Sequence, residues 1–212
     1  MAKIVQGAVL GAILLLAGLH LDGGAPPSPQ PDQDVTRGRV EAETSVVPTA
    51  LRPASTVTAG DFRAFLNRNR IPHQHLDLQD FVERINQAAA RNQVEPAMVL
   101  AVIRVESTFQ PDAISRKGAL GLMQILPGTG QALAEEIGLA WEGDHQLLEP
   151  DMNIELGAYY LRKLLDRFDG DRESALEAYF QGPTRLATRR GIDSTQTYHY
   201  AHRVLPYWDD LN

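Results

Sequence analysis

Apolar residues recur at three- and four-residue intervals along most of the chain after residue 76, and no stretch keeps the two-residue alternation of a β-strand. Asp77 with Asp80 resembles a capping box that begins a long helix. Its core face is predicted to consist of Phe81, Ile85, Ala88 and Ala89. A later helix, from Glu149-Pro150 to Asp169-Gly170, carries a wide apolar stripe. The pattern predicts an all-α domain.

The most apolar segment runs from Ala97 to Ile103, directly after Glu95-Pro96. Proline at a first helical position begins a helix, and a helix that is apolar on all sides is normally buried. Glu106 lies at the end of this predicted helix, on its apolar side. Partial burial favours the protonated carboxyl group, so Glu106 is a candidate general acid. The alternative is an ordinary solvated glutamate at a helix end.

The segment after Glu106 is rich in small residues. Ser115 is predicted to cap a second short helix, with two glycines and an alanine between Gly118 and Gln124, and Pro127 is predicted to end it. Small residues indicate that another group approaches this backbone closely. Two interpretations of Gln124 remain open: an amide presented to a ligand in a groove, or a buried amide bonded to a loop carbonyl.

Three further features lie between this segment and residue 170. Thr129 is predicted to cap a helix that ends near Gly138. Trp141 either covers the core or lines a sugar groove, and the core is favoured. Asn153, in the helix that begins at Pro150, is expected to bond to a loop rather than to a substrate.

The C-terminal part is predicted to contain two more helices. Ser174 to Phe180 form the first, with Tyr179 at its C-terminal end, and Ser194 caps the second. The final helix is predicted to carry Tyr200, Val204 and Tyr207. A basic loop is expected between the two helices, at Arg185, Arg189, Arg190 and Gly191.

The N-terminal quarter differs in composition from the rest. Residues 4–21 form a mostly apolar run after Lys3, typical of an export signal, and about 18 residues can also just span a bilayer as an anchor. A buried helix of a cytosolic domain is the other interpretation. Residues 22–60 contain six prolines among polar residues and are predicted to be a disordered linker. The folded domain is assigned to residues 61–212, beginning with a short helix over Asp61–Asn69.

Composition excludes several classes of function. The formal charge of −7 argues against a nucleic-acid partner, because phosphate binding needs clustered Lys and Arg. The absence of cysteine excludes disulfides, thiolate metal sites and a cysteine nucleophile. His73 and His75 have a spacing that can bind metal, but no third ligand completes a recognisable pattern. Neither a metal nor another cofactor is expected.

The run E-S-x-F-x-P-x-A-x-S-x-x-G-A-x-G-L-M-Q, from Glu106 to Gln124, resembles the signature of the soluble lytic transglycosylase (SLT) family. These lysozyme-like enzymes cleave the glycan strands of peptidoglycan. The resemblance covers about residues 80 to 207 and continues downstream at Pro150, Asn153, Gly157, Tyr160, Leu161, Ala175, Leu176, Ala178, Tyr179, Gly182, Pro183, Thr197, Tyr200 and Val204.

The resemblance implies a lysozyme-like helical fold and one catalytic glutamate. Glu106 would act as acid and then as base, leaving 1,6-anhydromuramic ends, and Tyr179 would hydrogen-bond to it and orient it. The residues that the resemblance implies at the substrate are Ser107, Met123, Gln124, Phe180 and Tyr200. Two positions depart from the family: Phe180 replaces an asparagine, and Gln196 replaces a frequent glutamate.

Other functions fit parts of the same pattern. A lysozyme-type hydrolase would use a second carboxylate, and no other Asp or Glu has a setting as specific as that of Glu106. An inactive glycan-binding module of a larger envelope machine is the remaining alternative. Phe180 either faces the glycan groove, which is slightly favoured, or belongs to the core. Export to the periplasm or envelope follows from the apolar run, with residues 4–21 either cleaved as a signal or retained as an anchor in the inner membrane.

Overall fold

The computed structural model describes residues 56–74, 76–190 and 198–212, and of Arg189 and Arg190 only the backbone. Eight α-helices and one short 3₁₀-helix are formed within these ranges, and no residue there belongs to a strand longer than an isolated bridge, which confirms the all-α prediction. The helices are α1 Ala59–Arg68, α2 Leu78–Asn92, α3 Pro96–Glu106, α4 Pro127–Ile137, α5 Pro150–Arg167, α6 Arg172–Gln181, α7 Pro183–Arg190 and α8 Ala201–Leu211, with the 3₁₀-helix at Asp144–Leu148 between α4 and α5.

The predicted export signal or anchor at residues 4–21 and nearly all of the predicted linker lie outside the described residues, as do His75, Gly191, Ser194 and Gln196. Among the helices that the structure describes, none has the length and apolar character needed to cross a bilayer.

Helix α3 lies at the centre of the fold, as its sequence predicts. Every residue of it except Arg104 is buried, and it packs against α2, α5 and α8. Pro96 occupies the first turn, where its missing N–H leaves no hydrogen bond unmade. The guanidinium of Arg104 instead lies over the ring of Tyr207, 5.0 Å from its centre.

Helices α1 and α2 form close to their predicted positions. Asp77 caps α2 by accepting from the N–H groups of Gln79 and Asp80. Helix α1 begins at Ala59, two residues before the predicted start, because Thr58 and Asp61 form a reciprocal capping box. All four residues predicted for the core face of α2 are buried: Phe81, Ile85, Ala88 and Ala89.

The predicted short helix between Ser115 and Pro127 is wrong. Residues 107–126 form a loop of turns with isolated bridges, called the central loop below. Gly118, Gly121 and Gln124 have left-handed φ values of 79°, 75° and 50°, and a right-handed helix cannot pass through such positions. The Ser115 hydroxyl accepts N–H bonds within a turn of this loop.

Pro127 begins α4 rather than ending a helix, so Thr129 is not its cap. Proline has the φ that a first helical turn needs. The predicted end near Gly138 is confirmed, because Gly138 takes a left-handed φ of 71° after the last turn. Trp141 is partly buried against the core, as favoured.

The C-terminal part contains one helix that the sequence pattern did not predict. The segment expected to be a basic loop is helix α7, since Pro183 is suited to a first turn and Gly182, at φ 87°, ends α6 directly before it. Helices α5 and α6 lie where they were predicted. Helix α8 begins at Ala201, later than a cap at Ser194 predicts, so Tyr200 lies directly before the helix and not within it. Helix α6 packs on α5, α7 and α8, so its end lies close to the start of α8.

Candidate active site

Glu106 is the last residue of α3, and its carboxyl group is almost fully enclosed. Only 7% of the residue is exposed. This burial raises the pKa of Glu106 to about 7, although a hydrogen bond from Tyr200 and the positive charge of Arg203 both act in the lowering direction. A carboxyl group with this pKa still carries its proton in a large fraction of molecules near neutral pH, as a general acid requires.

Tyr200 makes the direct contact with this carboxyl group. Its hydroxyl donates a 2.6 Å hydrogen bond to Oε1 of Glu106, and the residue is buried at the start of α8. Burial and the negative charge of Glu106 hold the pKa of Tyr200 well above its usual value, so the phenol stays neutral and donates. The sequence interpretation had placed Tyr200 among the substrate-binding residues without this bond.

Tyr179 does not make the hydrogen bond to Glu106 that the family resemblance implied. Its hydroxyl donates instead to the backbone carbonyl of Met123, at 2.9 Å. The rings of Tyr179 and Tyr160 pack together with their centres 5.2 Å apart. Burial and the nearby Glu106 charge raise the pKa of Tyr179 well above its usual value. Tyr179 therefore fastens the central loop beside Glu106.

Asn153, in α5, holds the same loop by hydrogen bonds. Its Oδ1 accepts from the N–H of Met123 at 2.7 Å, and its Nδ2 donates to the carbonyls of Leu120, at 2.9 Å, and Leu147, at 2.7 Å. The side chain is completely buried. The expectation that Asn153 bonds to a loop is confirmed.

Met123 and Gln124 lie in the central loop, between Asn153 and Tyr179. The Met123 side chain is fully buried and packs so tightly on Gly157 that a Cβ there would lie 2.1 Å from the Met123 sulfur. The Gln124 amide nitrogen donates to the carbonyls of Ala113 and Gly121, at 3.0 and 2.9 Å. Of the two interpretations of Gln124, these contacts match the buried amide bonded to loop carbonyls.

Ser107 and Phe180 flank the two functional side chains. The Ser107 hydroxyl donates back to the carbonyl of Ile103, at 3.3 Å, and so closes the last turn of α3 next to Glu106. The ring of Phe180 is partly buried and stacks on the ring of Tyr200, with centres 5.0 Å apart and planes 6° from parallel. One face of Phe180 is thus occupied by Tyr200.

Glu177 and Arg203 belong to this site but were missed by sequence reasoning. Glu177 is 1% exposed, and its Oε2 accepts from the backbone N–H groups of Tyr200, at 2.8 Å, and Ala201, at 3.3 Å. A carboxylate surrounded in sequence by the apolar residues of α6 was the signal that could have found it. Arg203 carries no such signal, because a cation on an amphipathic helix is usually solvated.

The fold and the site can now be compared with known proteins. The family described as the transglycosylase SLT domain matches residues 83–201, which is more than half of the chain and includes every side chain of the site except Arg203. The chain belongs to this family. The expected resemblance is thereby confirmed, and the lysozyme-like helical fold with it.

Three relatives of this SLT domain show how far the likeness extends. The soluble lytic murein transglycosylase of Salmonella typhimurium is 37% identical over 129 residues, which cover 54% of this chain and 20% of that protein. The crystal structure of the 70 kDa soluble lytic transglycosylase of Escherichia coli matches with a TM-score of 0.56 at 28% identity, over 61% of this chain and 23% of that one.

The third is the lytic transglycosylase of Pseudomonas aeruginosa, solved as an inactive mutant in which a glutamate is replaced by glutamine. It matches with a TM-score of 0.52 at 30% identity, over 67% of this chain and 23% of that one. The chain thus spans about a fifth of the length of these relatives.

Proposed function

We propose that this SLT domain is a peptidoglycan lytic transglycosylase that cleaves the β-1,4 bond between N-acetylmuramic acid and N-acetylglucosamine without adding water. The observation that carries the proposal is Glu106, a buried carboxyl group with a pKa of about 7 that accepts a hydrogen bond from Tyr200. Relatives support the proposal, because they are named lytic murein transglycosylases and one was made inactive by changing a glutamate to glutamine.

In the first step, protonated Glu106 donates its proton to the glycosidic oxygen. The bond from that oxygen to C1 of the muramic acid breaks, and the N-acetylglucosamine fragment leaves with a new hydroxyl group. The positive charge left at C1 is stabilised by the neighbouring N-acetyl group of the muramic acid until the second step. Glu106 becomes a carboxylate at that moment, and the Tyr200 hydrogen bond and the Arg203 charge stabilise it, since both lower its pKa. They therefore favour the transfer of the proton.

In the second step, the same carboxylate removes the proton from the C6 hydroxyl of the muramic acid. The C6 oxygen bonds to C1 and closes a 1,6-anhydro ring, and Glu106 regains its proton for the next cycle. One residue serves as acid and then as base, which a pKa near the working pH allows in both directions. Neither a metal nor another cofactor takes part in this proposal.

A hydrolase of lysozyme type would need a second carboxylate beside the scissile bond. Both oxygens of the other buried glutamate of the site, Glu177, already accept hydrogen bonds. The donors are the backbone N–H groups of Tyr200 and Ala201 and the Gln181 amide. Because Glu177 is held by these bonds, the single-carboxylate reaction is favoured.

The substrate contacts and the location of the protein follow from the same proposal. The residues that we assign to the substrate groove are Ser107, Met123, Gln124, Phe180 and Tyr200. Tyr179 is a positioning residue that holds the central loop beside Glu106. Because their side chains are largely engaged with the protein, Ser107, Met123 and Gln124 act mainly by shaping the central loop. We assign the protein to the periplasm or envelope, exported or anchored by residues 4–21, where peptidoglycan is found.

The test is mass spectrometry of the fragments that the full chain releases from purified cell-wall sacculi. We expect 1,6-anhydromuramic ends, and their loss by about a hundred- to ten-thousand-fold in Glu106→Gln, because an amide can neither donate nor accept the proton. Glu142→Gln, the same change at an exposed glutamate, is the matched control and should retain activity. Reducing muramic ends, heavier by one water, would instead identify a hydrolase, and binding without release an inactive module.

A further inference from the structure

Helix α6 directs three side chains at the beginning of α8. Glu177, Phe180 and Gln181 are spaced three and four residues apart, which places them on one face of a helix. This face meets Tyr200, the residue directly before α8. Phe180 is one of the two positions at which the chain departs from the family pattern. Neither Glu177 nor Gln181 takes part in the proposed reaction.

Glu177 holds the backbone of Tyr200. The first N–H groups of a helix have no partner within it, and no side chain of the residue preceding α8 caps them. Glu177 supplies the missing acceptor from another helix, at 2.8 Å to the N–H of Tyr200 and 3.3 Å to that of Ala201. Its negative charge also suits the positive end of the helix dipole. Gln181 donates to the other oxygen, which fixes the direction of the carboxylate.

Phe180 holds the ring of the same residue. The two rings are within 6° of parallel, and their centres are 5.0 Å apart, so the Tyr200 ring cannot tilt toward α6. With both backbone and ring fixed, the hydroxyl group of Tyr200 is held at the position from which it reaches Oε1 of Glu106, at 2.6 Å. The stack and the carboxylate act on different parts of one side chain.

We propose that Glu177, assisted by Phe180, is a positioning residue that keeps the Tyr200 hydroxyl group on Glu106. It touches neither the substrate nor the reacting atoms and acts only through Tyr200. The proposal rests on the proposed role of Glu106, and it adds the means by which the acid is oriented. It also gives a role to Phe180: in place of the asparagine of the family, it supplies an aromatic ring that stacks on Tyr200.

The groups that act on Glu106 determine the direction in which its pKa should shift when Tyr200 is released. Among the described residues they are Tyr200 and Arg203 of α8 and Tyr179 of α6, with Tyr160 of α5 behind Tyr179. Releasing Tyr200 removes a bond that lowers the pKa of Glu106, so that pKa should rise. Removing the negative charge of Glu177 by itself would act in the opposite direction. An upward shift therefore identifies positioning rather than direct electrostatics.

The experiment measures the Glu106 carboxyl group itself, by ¹³C NMR titration of the full chain labelled at glutamate side chains, with Glu106→Gln assigning the signal. Glu177→Met removes the acceptor and should raise the pKa of Glu106. Glu177→Gln keeps an oxygen that can accept the N–H bonds and should restore most of the wild-type value. Phe180→Leu should shift the pKa in the same direction as Glu177→Met, and tests the proposal even if Glu177→Met fails to fold.

A double-variant cycle tests the route through Tyr200. Tyr200→Phe should raise the pKa of Glu106 and lower kcat for anhydromuramic release by roughly ten- to a hundredfold. Adding Glu177→Met to Tyr200→Phe should neither raise the pKa nor lower kcat further, since the positioned hydroxyl group is already gone. In wild-type background Glu177→Met should lower kcat and move the pH profile upward, while KM changes little.

Two outcomes overturn the inference: a Glu106 pKa that is unchanged or lowered in folded Glu177→Met and Phe180→Leu, or additive effects in the double variant. The NMR titration does not depend on turnover. If the wild type releases no anhydromuramic product, the proposed function fails, and the pKa shifts still decide whether Glu177 positions Tyr200.

Discussion

The hydroxyl group of Tyr200 donates a 2.6 Å hydrogen bond to Glu106, 94 positions earlier in the chain. Tyr179, the tyrosine that the family pattern suggested for this contact, bonds to the backbone of Met123 instead. Both phenols are buried and have a pKa well above the usual value, so both serve as neutral donors. One holds the acid and the other holds the loop beside it, and the two roles can be separated by mutation.

Burial of Glu106 makes the stability of the fold depend on pH. Its pKa is 4.5 without perturbation and about 7 in the folded protein, so folding takes up a proton between these values. Its contribution is fully present below the lower value and is lost as the pH rises through the higher one.

The Glu106→Gln variant has no titrating group at this position and therefore provides the reference for the wild type. From about pH 4 to pH 8, the free energy of unfolding of the wild type should fall by about 3 kcal/mol relative to the variant, measured by denaturant unfolding. A difference between wild type and variant that stays constant across this range would show that folding does not raise the pKa of Glu106.

Gly121 is required by the close approach of two elements. A Cβ at this position would lie 2.1 Å from the carbonyl oxygen of Leu147 and 2.4 Å from Nδ2 of Asn153, and its φ is +75°. Gly121→Ala should therefore lower the free energy of unfolding by about 2 to 4 kcal/mol, from strain and overlap together.

Gly118→Ala is the matched control for that variant. Gly118 has nearly the same φ, +79°, but nothing within 4 Å of an added Cβ, so only the backbone strain of about 1 kcal/mol remains. Equal losses of stability in the two variants, measured by denaturant unfolding, would contradict the predicted overlap at Gly121.

Asn153 joins the central loop to α5 with three hydrogen bonds. Asn153→Ala leaves the N–H of Met123 and the carbonyls of Leu120 and Leu147 without this partner in a buried place, at a cost of about 3 kcal/mol or more. Thermal unfolding should show the loss, whereas Asn67→Ala, at an exposed helical position, should change little. Retention of wild-type stability by Asn153→Ala would mean that the loop does not depend on this side chain.

We expect the boundary of the folded domain to lie before residue 61. Val57 is buried and exchanges two hydrogen bonds with the Asn86 side chain, and Thr58 caps α1. A fragment of residues 54–212 should therefore be more stable than one of residues 61–212, by about 2 kcal/mol. Limited proteolysis followed by thermal unfolding of both fragments checks this. Equal stability would return the boundary to residue 61.

Sequence reasoning succeeded wherever the signal was local. The apolar run after Pro96 predicted α3 and the place of Glu106 at its end. It failed where several backbone conformations compete. The spacing of residues 115–124 suits a short helix, but the left-handed glycines and Gln124 end any helix there, and a φ value is not readable from an apolar pattern.

The sequence by itself determined the helical class, the buried helix that ends at a carboxyl group and the family to which the chain belongs, because helical periodicity and a dense motif are properties of neighbouring residues. Only the tertiary structure decided that Tyr200 rather than Tyr179 meets Glu106, and that Glu177 and Phe180 hold Tyr200 there. These contacts join α3, α6 and α8, and they depend on how whole helices pack. Periodicity states which face of a helix is buried, whereas packing selects the residue that the face meets.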